Sequence, residues 1–166
     1  MGTSTEEFVC SNSVFYNTYS PGFGGNILMY GLNPNSTIQN VVIHNCQTTA
    51  HKGGGILVGD DCPNLLLSNI SISGCDAYTG GGMHIDTGNH NVTLIDSEII
   101  DCHATSNYGG AIRLFQDNSD FHVINTIFEN NGAKQYGGAI ASDSNNPGMV
   151  IAGCEFVNNS AGLDGK

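Results

Sequence analysis

The sequence predicts an all-β fold, a right-handed single-stranded parallel β-helix of about five to six coils with about 28 residues in each coil. Three observations predict this solenoid. Gly-Gly clusters recur at that interval, apolar residues recur at the same interval, and the residues after each Gly pair alternate between aliphatic and mixed types. No segment has helical periodicity, so each unit must bury its apolar face against its neighbours as one coil of short strands.

The Gly-Gly clusters define the repeat, because successive clusters are separated by a nearly constant interval. Their first glycines are Gly24, Gly53, Gly80, Gly109 and Gly137. We expect a corner of the coil at each cluster, where a positive φ or close backbone packing excludes a Cβ atom. The glycines that we predict to be structural at these corners are Gly54, Gly81, Gly110 and Gly138.

A second marker is an apolar residue eight to ten positions before each Gly cluster. It recurs at the same interval as the clusters, so two independent markers share one period. In equivalent positions of successive coils, such residues stack about 4.8 Å apart and form a buried apolar column. This column consists of Phe15, Ile43, Ile72, Ile100, Phe128 and Phe156.

The position three residues before this marker is rich in Asn, with Ser97 in the fourth coil and Gly153 in the sixth. We expect the amide side chains to hydrogen-bond from coil to coil as an Asn ladder. Asn also tolerates the left-handed backbone that a sharp corner requires. The predicted structural residues of the ladder are Asn12, Asn40, Asn69 and Asn125.

The three residues after each Gly cluster predict a short strand with one buried face. The outer two positions are mostly aliphatic, and the middle position is mixed and should face outward. An outward His84–Arg113 pair would be able to contact a sugar or a carboxylate, and the alternative is an ordinary solvated face. The ligand-facing candidates at the middle position are Leu28, Leu57, His84 and Arg113.

Aspartates follow this strand in four coils, and aligned loops would join them into an acidic ridge. Three interpretations stay open: the acid–base pair of a glycosidase, a calcium site built from oxygen ligands, or solvated turn residues. We predict no cofactor and no dedicated metal site, with calcium as the alternative. The residues concerned are Asp60, Asp86, Asp117 and Asp143.

Six cysteines are present and none forms a CxxC pair, which argues against zinc or thioredoxin-like chemistry. Cys46 and Cys75 occupy the same repeat position on adjacent coils, so their Cα atoms should lie within disulfide range. Cys102 is displaced from this column by one residue. The cysteines either include a disulfide or are small buried side chains that fill a turn.

The charge of the chain limits its partners. Four Lys and Arg residues oppose fifteen Asp and Glu residues, for a net charge of −11. Such a surface repels nucleic acid and anionic membranes, and no apolar run reaches the roughly 20 residues of a membrane span. We therefore predict no nucleic-acid partner and no membrane span, and the remaining partners are cations, basic proteins and neutral glycans.

Two motifs in the second half of the chain resemble a known repeat family. Residues 128–131 and 156–159 match FxxN, and residues 109–112 and 137–140 match GGA followed by an aliphatic residue. Together they resemble the repeats of polymorphic outer membrane proteins, a type of right-handed β-helix passenger domain. The resemblance covers residues 97–166 well and the first half loosely, where Thr18, Cys46 and Cys75 replace the motif Asn. It implies an adhesive role at the cell surface.

We predict a non-catalytic extracellular or cell-surface module with a structural or adhesive role. Its partner would be a glycan or a host or cell-surface protein. The alternative is a fragment of a carbohydrate-active β-helix enzyme of the polysaccharide lyase, glycoside hydrolase or epimerase class. We treat residues 1–166 as a single β-helix domain and as a piece of a longer array, whose open coil ends would allow self-association.

Overall fold

The computed structural model describes residues 7–48 and 51–162, and all the regular secondary structure in this part is β. Each of the first three coils contributes one long and one short strand. These are β1 (Val9–Ser20), β2 (Ile27–Met29), β3 (Thr37–Thr48), β4 (Ile56–Val58), β5 (Leu66–Ala77) and β6 (Met83–Ile85).

In the later coils the long strand is divided into three short ones. Coil 4 contains β7 (Thr93–Ile95), β8 (Glu98–Ile100), β9 (His103–Ala104) and β10 (Ile112–Leu114). Coil 5 contains β11 (His122–Ile124), β12 (Ile127–Glu129), β13 (Gly132–Ala133) and β14 (Ile140–Ser142). The next strands along the chain are β15 (Val150–Ala152), β16 (Glu155–Val157) and β17 (Ser160–Ala161).

Strands pair between successive coils, and every pairing in the described residues is parallel. They form a broad sheet of 12 strands and a narrow sheet of five strands in the order β14-β10-β6-β4-β2. The predicted solenoid, in which each sequence repeat makes one coil, is therefore confirmed.

The core is a thin apolar interior between the two sheets. Ile56, Met83 and Ile112 are register partners on successive strands of the narrow sheet, and none of them has measurable solvent exposure. Each such side chain contributes roughly 1.5–3 kcal/mol when fully buried. One coil cannot supply this burial alone, so stability accumulates through contacts between neighbouring coils.

The register of the fourth coil differs from the prediction by one residue. Ile99, not Ile100, pairs with both Ile72 and Phe128, and Ile99 is fully buried whereas Ile100 is partly exposed. The third coil is one residue shorter than assumed, and residue type alone does not distinguish adjacent isoleucines. Cys102 consequently stands in register with Cys75, and its predicted displacement is wrong.

The Asn ladder is present on the outside of the broad sheet. The Asn40 amide donates to Asn12 Oδ1 at 3.0 Å, and the Asn69 amide donates to Asn40 Oδ1 at 2.8 Å. In the fourth coil the ladder position belongs to Asp96 and not Ser97, and Asn125 donates to Asp96 Oδ1 at 3.1 Å. Every non-glycine residue with positive φ in the described part is Asn or Asp, as expected for left-handed corners.

The Gly clusters serve two separate purposes. The first glycine has a positive φ, for example 66° at Gly53 and 69° at Gly109. The second glycine lies against the carbonyl of the next coil, so a Cβ atom at Gly54 would overlap with Gly81 O. Such overlap would occur at all four predicted structural glycines: Gly54, Gly81, Gly110 and Gly138.

Candidate functional site

A groove runs along the outer face of the narrow sheet, parallel to the solenoid axis. Its floor is the middle residue of each short strand, and these residues are register partners from coil to coil. In chain order the floor is Leu28, Leu57, His84, Arg113 and Ala141.

Two columns of side chains form the walls of the groove. One wall is the residue before each Gly cluster, and the bridges Lys52↔Thr79 and Tyr108↔Tyr136 align it between coils. The opposite wall is the residue directly after each short strand. The first wall consists of Phe23, Lys52, Thr79, Tyr108 and Tyr136. The second wall consists of Tyr30, Gly59, Asp86, Phe115 and Asp143.

The first part of the groove is open, and we call it the open cleft. It has a volume of about 520 Å³. Its apolar surface comes largely from Phe23, Leu28 and Tyr30, which are 54%, 47% and 78% exposed. The residues that line it are Phe23, Leu28, Tyr30, Lys52, Leu57, Gly59, Asp60, Asp86 and Thr87.

Further along, the groove is filled by a group that we call the cation cluster: Lys52, His84, Asp86, Arg113, Phe115 and Asp143. The Lys52 ammonium crosses to the opposite wall and lies 2.6 Å from Asp86 Oδ2. The Arg113 guanidinium lies 2.5 Å from Asp143 Oδ2. Charged groups from different coils therefore close the groove by bridging its floor and walls.

Aromatic rings complete the cation cluster. The Arg113 guanidinium lies 4.9 Å from the ring centres of both Tyr108 and Phe115, and the Lys52 ammonium lies 5.2 Å from the Phe115 ring. Arg113 also donates to Thr79 Oγ1 at 3.1 Å. The Arg113 side chain is only 11% exposed, so its cation–π contacts are stronger than surface contacts of the same kind.

His84 lies beneath this cluster with no solvent exposure and no hydrogen-bond partner for either ring nitrogen. Burial lowers the pKa of His84 well below its ordinary value, and the positive charges of Lys52 and Arg113 lower it further. The imidazole is therefore neutral at neutral pH, which avoids a third positive charge beside those of Lys52 and Arg113.

The four ligand-facing candidates have different environments. Leu28 is exposed in the open cleft, and Leu57 lies on its floor with only 3% exposure. The prediction of an outward, accessible His84–Arg113 pair is wrong, because His84 is buried and the Arg113 side chain is only 11% exposed. The sequence pattern identified the outer face of the strand correctly but did not reveal the side chains that cover it.

The four aspartates do not align into one acidic ridge. Asp86 and Asp143 belong to the second wall and are paired with Lys52 and Arg113. Asp60 lies one position beyond that wall, and Asp117 lies at a left-handed corner one position further. Within residues 7–48 and 51–162, no three His, Cys, Asp or Glu side chains are grouped so that they could hold a metal ion.

The Asn of the FxxN motif has an interior role that sequence reasoning missed. Asn131 is fully buried, its Oδ1 accepts from the Cys102 N–H at 3.0 Å, and its amide donates to Ile99 O at 2.8 Å. Asn159 repeats this arrangement one coil later by accepting from the Asn131 N–H at 3.0 Å. The motif spacing was the available signal, because a fixed interval from the core Phe places the Asn at an inward corner.

The predicted Cys46–Cys75 pair occupies the same interior column in earlier coils. The two residues are register partners, and both are buried. Their thiols are free, and the sulfur atoms lie 2.7 Å apart.

These features define the class of protein as a parallel β-solenoid with an external groove on its narrow sheet. The chain belongs to the right-handed β-helix family, whose model, described as "Right handed beta helix region", matches residues 3–164. Searches of curated proteins and of solved structures returned no match. The described residues include no helix of the length and apolarity needed to cross a membrane.

Proposed function

We propose that this chain is a non-catalytic extracellular or cell-surface β-helix module that binds a neutral glycan in the open cleft. The observation that carries the proposal is the arrangement of exposed apolar side chains beside polar groups in one cleft. Phe23, Leu28 and Tyr30 supply the apolar surface, and Lys52 and Asp60 are among the polar lining residues.

The chemistry of the cleft suits a sugar ring. A sugar has an apolar face of C–H groups and a rim of hydroxyl groups. Aromatic side chains offer large rigid apolar surfaces, and a few polar groups fix the orientation of a bound ligand. Because the narrow sheet is built from stacked coils, the cleft is placed on a rigid support and loses little freedom when a ligand binds.

The charge of the cleft favours a neutral ligand over an anionic one. Lys52 contributes one positive charge, whereas Asp60 and Asp86 contribute two negative charges. The whole chain has a net charge of −11. Both the local and the overall field therefore oppose uronic-acid and sulfated polysaccharides.

The surface location rests on the FxxN and GGA motifs. Their resemblance to polymorphic outer membrane protein repeats supports an adhesive role for the solenoid. The family match supports the β-helix itself and leaves this finer assignment as part of the proposal.

Binding to immobilised neutral and acidic polysaccharides tests the proposal, with affinities measured by calorimetry for any oligosaccharide retained. We expect retention of neutral glycans and a loss of about 10–100-fold in affinity for Tyr30→Ala, the range for a central aromatic contact. Tyr16→Ala is the matched control, because Tyr16 is 63% exposed but lies on the broad sheet. Equal losses in both variants, or retention of acidic glycans only, would contradict the proposal.

The same measurements in EDTA test the calcium alternative. Binding through the open cleft needs no metal in this proposal, so affinity should not change when calcium is removed. A loss of binding in EDTA that calcium restores would assign a role to the aspartates near the cleft instead.

A carbohydrate-active enzyme is the second candidate, because Asp60 and Asp86 from neighbouring coils line the same cleft. Paired carboxylates are the usual requirement for glycoside hydrolysis. Here Asp86 is paired with Lys52, and Asp60 Oδ1 accepts from the Thr87 N–H at 3.2 Å, an arrangement that supports binding more than proton transfer. Release of reducing or unsaturated sugars that Asp86→Asn abolishes would favour the enzyme.

A further inference from the structure

Three cysteines stack in one interior column on successive coils. Cys46 and Cys75 are register partners, and Cys102 follows in the next coil. Their exposures are 2%, 0% and 0%. In the following two coils the same column consists of Asn131 and Asn159, so thiols replace the amides of the interior ladder over three consecutive coils.

The geometry brings the first two thiols into bonding range. The Sγ atoms of Cys46 and Cys75 lie 2.7 Å apart. Cα atoms of directly paired parallel strands lie about 4.8 Å apart, within the range of about 4.4–6.8 Å found across disulfides. Cys46 and Cys102 are two coils apart, roughly 9.6 Å, which exceeds the limit of about 7 Å for a disulfide.

We propose that Cys46 and Cys75 form an inter-coil disulfide when the chain folds in an oxidising compartment, with Cys102 as the alternate partner of Cys75. Oxidised glutathione is a sufficient oxidant. One cysteine thiolate attacks it and releases reduced glutathione, and the second thiolate then attacks the mixed disulfide. Two protons and two electrons leave the protein, and one oxidised glutathione becomes two reduced molecules.

The disulfide must form before folding buries the cysteine column. The neighbouring Cys75 thiol and burial raise the pKa of Cys46, and the neighbouring Cys102 thiol raises the pKa of Cys75. Because the thiolate is the reactive form, the folded and reduced protein should react slowly with oxidant. During refolding the thiols are still accessible and should react readily with oxidant. Once formed, the buried disulfide should resist reduction until the protein unfolds.

The disulfide would join coils 2 and 3 through residues that are 29 positions apart. It restricts the unfolded chain, and loops of this length give substantial stabilisation. We expect the melting temperature of the oxidised protein to exceed that of the reduced protein by about 5–10 °C.

The test is to refold the full chain in a mixture of reduced and oxidised glutathione, alkylate free thiols in denaturant, and map cysteines by mass spectrometry after peptic digestion. We expect one disulfide, Cys46–Cys75. Refolded protein with six alkylated cysteines, or with a disulfide between cysteines outside this column, would overturn the proposal. Circular dichroism confirms that each sample has the β fold.

Variants test the geometry. Cys46→Ala should move the bond to Cys75–Cys102, and Cys75→Ala should abolish it, since Cys46 and Cys102 are too distant. Cys62→Ala is the control, because Cys62 is equally buried but hydrogen-bonds to Gly31 O in a different column, and its removal should leave the bond intact. If Cys75→Ala does not fold, the disulfide map of the unmodified chain still decides the proposal. The result is independent of whether any glycan binds in the open cleft.

Discussion

The open cleft and the cation cluster are two parts of one groove with the same backbone, and they differ in what the floor presents. The floor is Leu28 and Leu57 in the open cleft and His84 and Arg113 in the cluster. Apolar floor residues leave space between the walls. In the cluster, by contrast, the Phe115 ring and the Asp143 carboxylate lie against the Arg113 guanidinium and fill this space.

The floor residue therefore sets whether a coil offers a binding surface or a closed polar layer. Charges that leave water need partners, so Arg113 is stable in this position only because Asp143 and two aromatic rings surround it. Leu28 has no such requirement and remains 47% exposed. Substitutions in the cation cluster should therefore cost more stability than substitutions in the open cleft.

The largest effect is expected for Arg113→Met, which keeps the apolar stem but leaves Asp143 without its cation. We expect a loss of about 2–3 kcal/mol in the free energy of unfolding, below the 3–5 kcal/mol typical of fully buried pairs because Asp143 is 26% exposed. Urea denaturation at neutral pH measures it. Leu28→Ala at the same floor position is the matched control and should cost no more than about 1 kcal/mol. Equal costs would mean that the cluster is not a closed layer.

The second effect is a pH dependence that comes from His84. Its folded-state pKa is lowered by burial and by Lys52 and Arg113, so the unfolded chain binds the proton more tightly. The contribution of neutral His84 to stability is fully present above the unfolded pKa of about 6.5. Stability then falls as the pH drops below this value, by up to about 1.4 kcal/mol per pH unit.

Denaturation midpoints between pH 7.5 and pH 5 measure this slope. His84→Leu introduces the residue type of Leu57, the floor residue of the preceding coil. This variant should lower the slope by the contribution of one proton, up to about 1.4 kcal/mol per pH unit. An unchanged slope in His84→Leu would show that other groups cause the pH dependence.

The smallest effect is expected for Lys52→Met, at the junction of the two halves. The Lys52 side chain is 32% exposed, so water already weakens this pair, and Asp86 lines the open cleft, where water can solvate it once Lys52 is gone. Losing the pair should therefore cost about 0.5–1 kcal/mol. The same variant frees Asp86 and makes the open cleft more negative. Thermal unfolding measures the cost, and a loss larger than that of Arg113→Met would reverse the assignment of which half is closed.

Most of the fold could be predicted from the sequence, but only part of the site. The Gly clusters and Asn corners are local signals, because left-handed corners accept only Gly, Asn and Asp at low cost. The one-residue error at Ile100 arose where two adjacent isoleucines fit the pattern equally well. The burial of His84 was not predictable, because a single outward position in a strand reports nothing about the side chains that lie over it.

The approximate coil length, the stacking of like residues and most of the corners follow from the sequence alone, since residues one period apart are hydrogen-bonded neighbours in a solenoid. Which side chains meet across the groove depends on tertiary packing. Lys52 and Asp86 are 34 positions apart, and Arg113 and Asp143 are 30 apart, so neither pair shares a column. Such contacts depend on whether side chains from different columns and coils are long enough to meet. The distance between those columns is set by packing and not by the period of the repeat.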